Sequence, residues 1–109
     1  MSVSKTNIKF SYLYRDAGNN KNFGFVIFAN PGKLPTDQLK DTIVARLIDG
    51  EYFDHEAICV PDLYFPIKNA DDHSWHEFDN LETTTEKPTD KRTIENFVVS
   101  FSQSRDTVV

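Results

Sequence analysis

Apolar and polar residues alternate at the start of the chain. The large apolar side chains occupy every second position, at Ile8, Phe10, Tyr12 and Tyr14. This period predicts a half-buried strand, since rings and β-branched residues suit a pleated surface. A Gly- and Asn-rich stretch at 16–22 predicts a turn, and residues 23–29 predict a second strand that ends at Asn30-Pro31-Gly32. Two strands joined by a short turn predict an antiparallel hairpin.

Two later segments have the spacing of amphipathic helices. In the first, apolar residues recur every four positions, after a helix start near Pro35 and before a stop at Asp49-Gly50; they are Leu39, Ile43 and Leu47. In the second, the spacing is three or four, at Ile94, Phe97, Val98 and Phe101. The candidates for the N-cap of this second helix are Thr89, Asp90 and Thr93.

The stretch between the two helices gives a weaker signal. Residues 57–60 and 63–65 are apolar and favour a bent edge strand, because Pro61 between them cannot donate to a ladder. A last strand is predicted near 75–85. The order is β-β-α-β-β-α, which predicts one α+β domain over residues 1–109, a mostly antiparallel sheet with both helices on one face. The ends, residues 1–6 and 102–109, are expected to fray.

The formal charge of −5 is distributed unevenly along the chain. Residues 1–50 hold seven Lys or Arg against four Asp or Glu, whereas residues 51–90 hold two against eleven. The last stretch, 91–109, holds three against two. An acidic balance disfavours general binding to phosphate backbones or anionic membranes. The acidity belongs to one stretch, which is also rich in rings: Tyr52, Phe53, Tyr64, Phe65, Trp75 and Phe78.

Cysteine content and the chain start bear on the cellular setting. Cys59 is the only cysteine and lies in an apolar run, so we expect it to be buried as a small apolar residue, with no disulfide. The N-terminal residues form no signal-peptide core, and no run approaches the ~18 apolar residues of a membrane span. These features predict a soluble protein in the reducing cytoplasm.

Residues 71–79 concentrate side chains that bind transition metals. Neutral imidazole and carboxylate suit divalent ions, so Asp72, His73 and His76 are candidate ligands for a small metal-dependent hydrolase. A spacing of three places the two histidines on opposite faces of a strand, although a turn would let them meet. Alternatively, the aspartates accept backbone hydrogen bonds in a loop and His76 packs beside Trp75. No other cofactor and no catalytic residue is predicted.

Residues 21–28 resemble the octamer of RNA-recognition motifs. That octamer is basic, Gly, aromatic, Gly, aromatic, Val, any, aromatic, and only Asn22 departs from it. In that family two rings on the same face, here Phe23 and Phe25, stack on bases. The family places this strand third, however, whereas only 20 residues precede it here. A simpler interpretation is that Gly24 marks a close approach of another part of the chain. Nucleic-acid binding is the least favoured hypothesis.

An acidic segment interleaved with rings is typical of a surface that binds a basic protein. Aromatic residues supply binding hot spots, and complementary charge orients the encounter. Alternatively, the rings belong to the core and the charges form a solvated face. The favoured hypothesis is a non-enzymatic accessory, inhibitor or immunity-type module that binds a basic partner through residues 51–90. The predicted contact residues are Tyr64, Trp75, His76, Glu77 and Asp79.

Four motifs together resemble a family of small bacterial proteins of unknown function. They are Tyr12-Leu13-Tyr14-Arg15-Asp16, the Phe23-Gly24 strand, Leu47-Ile48-Asp49-Gly50, and the block from Asp72 to Asp79 with its Trp-His-Glu-Phe-Asp core. The similarity spans about residues 8–101. It implies a bacterial origin and a standalone domain. It implies no activity and no catalytic residue.

Overall fold

Within the residues that the structure describes, four strands and two helices follow one another in the order that the sequence predicts. The computed structural model describes residues 7–65 and 75–106, the side chains of 102–106 excepted. The elements are β1 (Asn7–Arg15), β2 (Lys21–Phe28), α1 (Thr36–Arg46), β3 (Tyr52–Phe53), β4 (His76–Thr84) and α2 (Ile94–Asp106). All three strand pairings are antiparallel. The α+β fold class is therefore confirmed.

The first strand lies at the centre of the sheet. The strand order is β2-β1-β4-β3, so β1 pairs with its hairpin partner on one side and with β4 on the other. The hairpin turn is held by Asp16, whose Oδ1 accepts the Asn20 amide at 2.8 Å. A bulge interrupts the β1–β4 register between Ser11 and Tyr12.

Both helices pack on the same face of the sheet. On this face, Ile8 and Phe10 of β1 are fully buried. They lie in one core with Ile43 of α1 and Phe97 of α2, which are also fully buried. Rings dominate this core: Phe97 stacks on Phe28 at 4.2 Å between centroids and meets Phe10 edge-on at 4.9 Å. The apolar stripes predicted for the two helices therefore face a common core.

The region between α1 and β4 differs from the prediction. Helix α1 ends at Arg46, earlier than expected, and Asp49 and Gly50 instead adopt positive φ in the turn that leads to β3. The third strand spans only two residues, and 55–59 form turns where a strand was predicted. The expectation of a buried Cys59 is wrong, because this residue is exposed, with φ of 56°.

Of the three cap candidates for α2, Thr93 provides the cap. Its Oγ1 accepts the Asn96 amide at 3.3 Å. Thr89 instead binds the outer edge of β2, where its Oγ1 accepts the Ile27 amide and its own amide donates to the Ile27 carbonyl. Residues 89–93 therefore continue along the sheet edge before the helix begins.

The described part of α2 continues to Asp106, so its backbone includes part of the predicted frayed tail. Residues 1–6 and 107–109 lie outside the described residues. Neither described helix is long and apolar enough to cross a membrane.

The ring cluster predicts a large stability difference between two Phe-to-Ala substitutions. Phe97→Ala removes a fully buried ring, so we expect a loss of about 3–5 kcal/mol in the free energy of unfolding. Phe23→Ala removes an exposed ring and should cost less than about 1 kcal/mol. Urea denaturation followed by circular dichroism measures both, and equal losses would contradict this account of the core.

Candidate interaction surface

The acidic loop, defined here as Asp54 to Tyr64, is fastened to the sheet around Leu63. The Leu63 amide donates to Nε2 of His76 at 3.0 Å, and its carbonyl accepts Nδ2 of Asn22 at 3.0 Å. Two residues earlier, the Pro61 carbonyl accepts the hydroxyl of Tyr12 at 2.6 Å. Side chains from three strands thus satisfy the backbone of a segment that forms no ladder of its own.

Gly24 allows this close approach. A Cβ placed on Gly24 would lie 2.7 Å from Cδ2 of Leu63, closer than side chains normally tolerate. The simpler interpretation of the Phe-Gly-Phe sequence is therefore confirmed: another part of the chain, the Leu63 side chain, packs against the glycine.

Arg92 holds the middle of the acidic loop. Its guanidinium donates to the carbonyls of Ile58 and Cys59 at 2.7 and 2.8 Å. It also forms an ion pair with Asp90 at 2.8 Å. The hydrogen bonds from Arg92 to Asp90 hold the pKa of the Asp90 carboxyl below its usual range. The same guanidinium lies 5.2 Å from the Phe97 ring centroid. In the predicted strand, the carbonyls of Ile58 and Cys59 would pair with a neighbouring strand. Here they accept hydrogen bonds from the Arg92 side chain instead.

His76 lies at the centre of a cluster of rings beneath the loop. Its side chain is fully buried, and the rings of His55, Tyr14 and Tyr64 lie 5.0–5.2 Å from it, centroid to centroid. His55 is oriented by its own Nδ1, which donates to the Val60 carbonyl at 2.9 Å. The cluster supports the half-buried Tyr64 from below.

Three carboxylates surround Tyr64 on the solvent side. Burial is the largest cause that raises the pKa of the Tyr64 hydroxyl, and the charges of Asp54, Asp62 and Glu56 raise it further. All three acids are exposed, and among the described residues no Lys or Arg forms an ion pair with them. The acidic loop therefore presents negative charge around a ring, and no lysine or arginine within residues 7–65 and 75–101 is ion-paired with it.

Burial also affects Tyr12, which anchors the loop through Pro61. Burial, together with the charge of Asp62, raises the pKa of the Tyr12 hydroxyl to about 12. The neutral hydroxyl is the form that donates to the carbonyl.

Glu77 is neutralised within the chain. It accepts two hydrogen bonds from Arg15, at 2.8 and 3.1 Å, and its side chain is nearly buried. The hydrogen bond to Glu77 is the main cause that raises the pKa of Arg15. Such a bidentate pair leaves little charge for a partner to recognise.

The predicted contact residues thus fall into two groups. Tyr64, Trp75 and Asp79 are accessible, Trp75 with 43% of its surface exposed. His76 is fully buried and Glu77 is already paired, so neither is placed to meet a partner directly. For His76 this corrects the prediction, since it supports the surface rather than forming it.

Three accessible residues were missed, namely Asp54, Glu56 and Asp62. A signal for them was present, because acids two, eight and ten positions before Tyr64 accompany a break in apolar periodicity, which is typical of a solvent-facing loop.

The described residues provide no arrangement of ligands that supports the metal-site hypothesis. His73 and Asp72 lie outside them, and Nε2 of His76 is occupied by the Leu63 amide. No group of three potential ligands occurs among the residues that are described.

Comparison of the chain with family models, curated proteins and solved structures gives no match. The resemblance to a family of small bacterial proteins therefore stays a prediction.

The Leu63–His76 hydrogen bond can be tested by two substitutions. His76→Leu leaves the Leu63 amide without its acceptor, so we expect a loss of about 1–3 kcal/mol in the free energy of unfolding. His76→Gln retains an acceptor and should lose less. Hydrogen exchange measured by NMR should show faster exchange of the Leu63 amide in the leucine variant, and an unchanged rate would contradict the anchor.

The raised pKa of Tyr12 predicts a pH dependence of stability. The folded state favours the neutral hydroxyl, so its stabilisation is complete below the unfolded value near 10 and is lost as the pH rises toward 12. The advantage of the wild type over Tyr12→Phe should therefore shrink by about 1 kcal/mol between pH 9 and 11. Urea denaturation at both pH values measures this, and a constant difference would be evidence against it.

Proposed function

We propose that the chain is a non-enzymatic, cytoplasmic protein-interaction module of accessory, inhibitor or immunity type. Its acidic loop, together with Trp75, binds a basic surface of a partner protein. One observation carries the proposal. The exposed carboxylates of Asp54, Glu56 and Asp62 surround Tyr64, and no described lysine or arginine neutralises them.

Charge compensation distinguishes these three acids from others in the same stretch. Glu77 and Asp90 each have an arginine of their own within 2.8 Å. The three loop acids repel one another instead, and cations of a partner would relieve that repulsion. Since all of them are exposed, the attraction would be screened by salt and would act mainly on the rate of encounter.

Rings would supply the directional contacts. Tyr64 and Trp75 each combine an apolar ring with a polar group, the composition of residues that dominate binding energy at interfaces. Tyr64 is held by the rings of Tyr14 and His76, with centroids 4.9 and 5.1 Å away. A ring that is already ordered loses little side-chain entropy on binding.

The loop itself is also ordered before any partner arrives. The hydrogen bonds at Pro61 and Leu63 hold one end, and Arg92 holds the carbonyls of Ile58 and Cys59 in the middle. A surface held in this way would bind as a preformed patch, with little change of backbone.

Charge reversal tests this proposal. The triple variant Asp54→Lys, Glu56→Lys, Asp62→Lys should recover a specific partner from extracts of the native host at least roughly tenfold less well than the wild type, since close charge pairs couple strongly. The measurement is affinity capture followed by quantitative mass spectrometry.

A matched control reverses three exposed acids on the helices, Asp37, Asp41 and Glu95, with the same change in net charge. It should retain the partner. Equal recovery by the two triple variants, with both folded by circular dichroism, would contradict a role for the acidic loop.

A further inference from the structure

One part of the outer edge of β2 carries backbone groups that nothing described pairs with. The strand order places β2 at an edge of the sheet. The amide and carbonyl of Ile27 point away from β1, since both bind Thr89, at 3.0 and 2.9 Å. In an antiparallel ladder these groups point to the same side at every second residue, so those of Lys21, Phe23 and Phe25 also face outward. Among the described residues, none bonds to them.

The rest of this edge is covered by the chain itself. Residues 89–94 run along it, where the Ile94 amide donates to the Ala29 carbonyl at 2.8 Å and Thr93 forms a parallel bridge with Ala29. This cover ends at Ile27, which leaves residues 21–25, here called the open edge. An uncovered row of amides and carbonyls is a template on which another strand can pair.

The two faces of the open edge differ in character. On the face opposite the helices, Phe23 and Phe25 expose 60% and 48% of their surfaces. On the helix-facing side, Leu63 of the acidic loop lies over the strand. Its carbonyl accepts Nδ2 of Asn22 at 3.0 Å, and its side chain packs against Gly24. A strand added to the open edge would therefore meet rings on one face and the acidic loop on the other.

Asp62 gives the helix-facing side its charge. It precedes Leu63 in the chain, its side chain is exposed, and no described Lys or Arg forms an ion pair with it. Its charge contributes to the raised pKa of Tyr12, which lies opposite Gly24 in the register. Because Asp62 is close to this part of the sheet, a basic side chain of an added strand would be attracted there.

We propose that the open edge binds an extended segment of the basic partner as a fifth strand of the sheet. Apolar side chains of that segment contact Phe23 and Phe25, and the Lys or Arg side chains between them face Asp62. Each outward residue of the open edge can exchange two hydrogen bonds with an antiparallel strand. The proposal rests on the proposed function, because the acidic loop attracts the same partner.

A second copy of the chain fits the open edge less well. Antiparallel pairing of two β2 strands around a twofold axis would place both acidic loops on the same side of the joined sheet, where they repel each other. The side chains that a second copy would offer on that side, Asn22 and Gly24, carry no positive charge. A basic segment is therefore the better complement.

The first test compares two labelled heptapeptides of equal composition by fluorescence anisotropy. One alternates, Lys-Val-Lys-Val-Lys-Val-Lys, and the other has four Lys followed by three Val. We expect the alternating peptide to bind with a Kd on the order of 100 µM. The block peptide should bind at least roughly tenfold more weakly, because it cannot present one kind of side chain to each face.

Hydrogen exchange measured by NMR on the wild type locates the contact. With the alternating peptide at about ten times its Kd, the amides of Phe23 and Phe25 should exchange about tenfold more slowly, since only the free protein exchanges there. The Ile27 amide already binds Thr89 and should keep its rate.

A pair of variants separates the backbone from the ring. Phe23→Pro removes an outward amide that β1 does not use, a change that edge strands tolerate, and should weaken peptide binding by at least roughly tenfold. Phe23→Ala keeps the amide and should lose less. Circular dichroism checks that both variants are folded.

Several results would overturn the proposal. They are no binding of the alternating peptide, equal binding of the two peptides, unchanged exchange of the Phe23 amide, or equal losses in the two Phe23 variants. A dimer in light scattering that Phe23→Pro dissociates would assign the open edge to a second copy instead.

Affinity capture from the native host distinguishes this proposal from the proposed function. Both the acidic-loop triple variant and Phe23→Pro should lose the partner. Loss by the triple variant alone would overturn strand addition and leave the proposed function standing. Retention by the triple variant would contradict the proposed function, whereas the peptide and exchange measurements would still decide strand addition.

Discussion

The candidate surface depends on the hydrogen bonds made by the backbone amide and carbonyl of Leu63. A buried backbone amide and carbonyl need partners, and this segment has none from a strand. His76 and Asn22 supply them from β4 and β2, and the hydroxyl of Tyr12 does the same at Pro61. The position of Tyr64, and with it the carboxylates around that ring, follows from these three side chains. The helix-facing side of the sheet thus serves both as core and as support for an exposed loop.

Most of the fold could be predicted because its signals are local. The alternation from Ile8 to Tyr14 and the stripe from Ile94 to Phe101 each lie within one element, so periodicity alone locates them. The segment at 57–60 was misassigned for the opposite reason. Its carbonyls at 58 and 59 are taken by Arg92, more than 30 residues away, and such a contact leaves no trace in a local pattern.

The orientation of His76 could not be predicted because of the bulge at Ser11 and Tyr12. Leu81 lies opposite Phe10 and Phe78 lies opposite Tyr12, so two residues three positions apart both face the core. Strict alternation from Leu81 would have turned His76 outward. The bulge shifts the side-chain alternation by one residue, which turns His76 into the core and Glu77 to the face opposite the helices, where Arg15 neutralises it. Acidic residues could be foreseen in this stretch, but the pairing of Glu77 with Arg15 depends on that one irregularity.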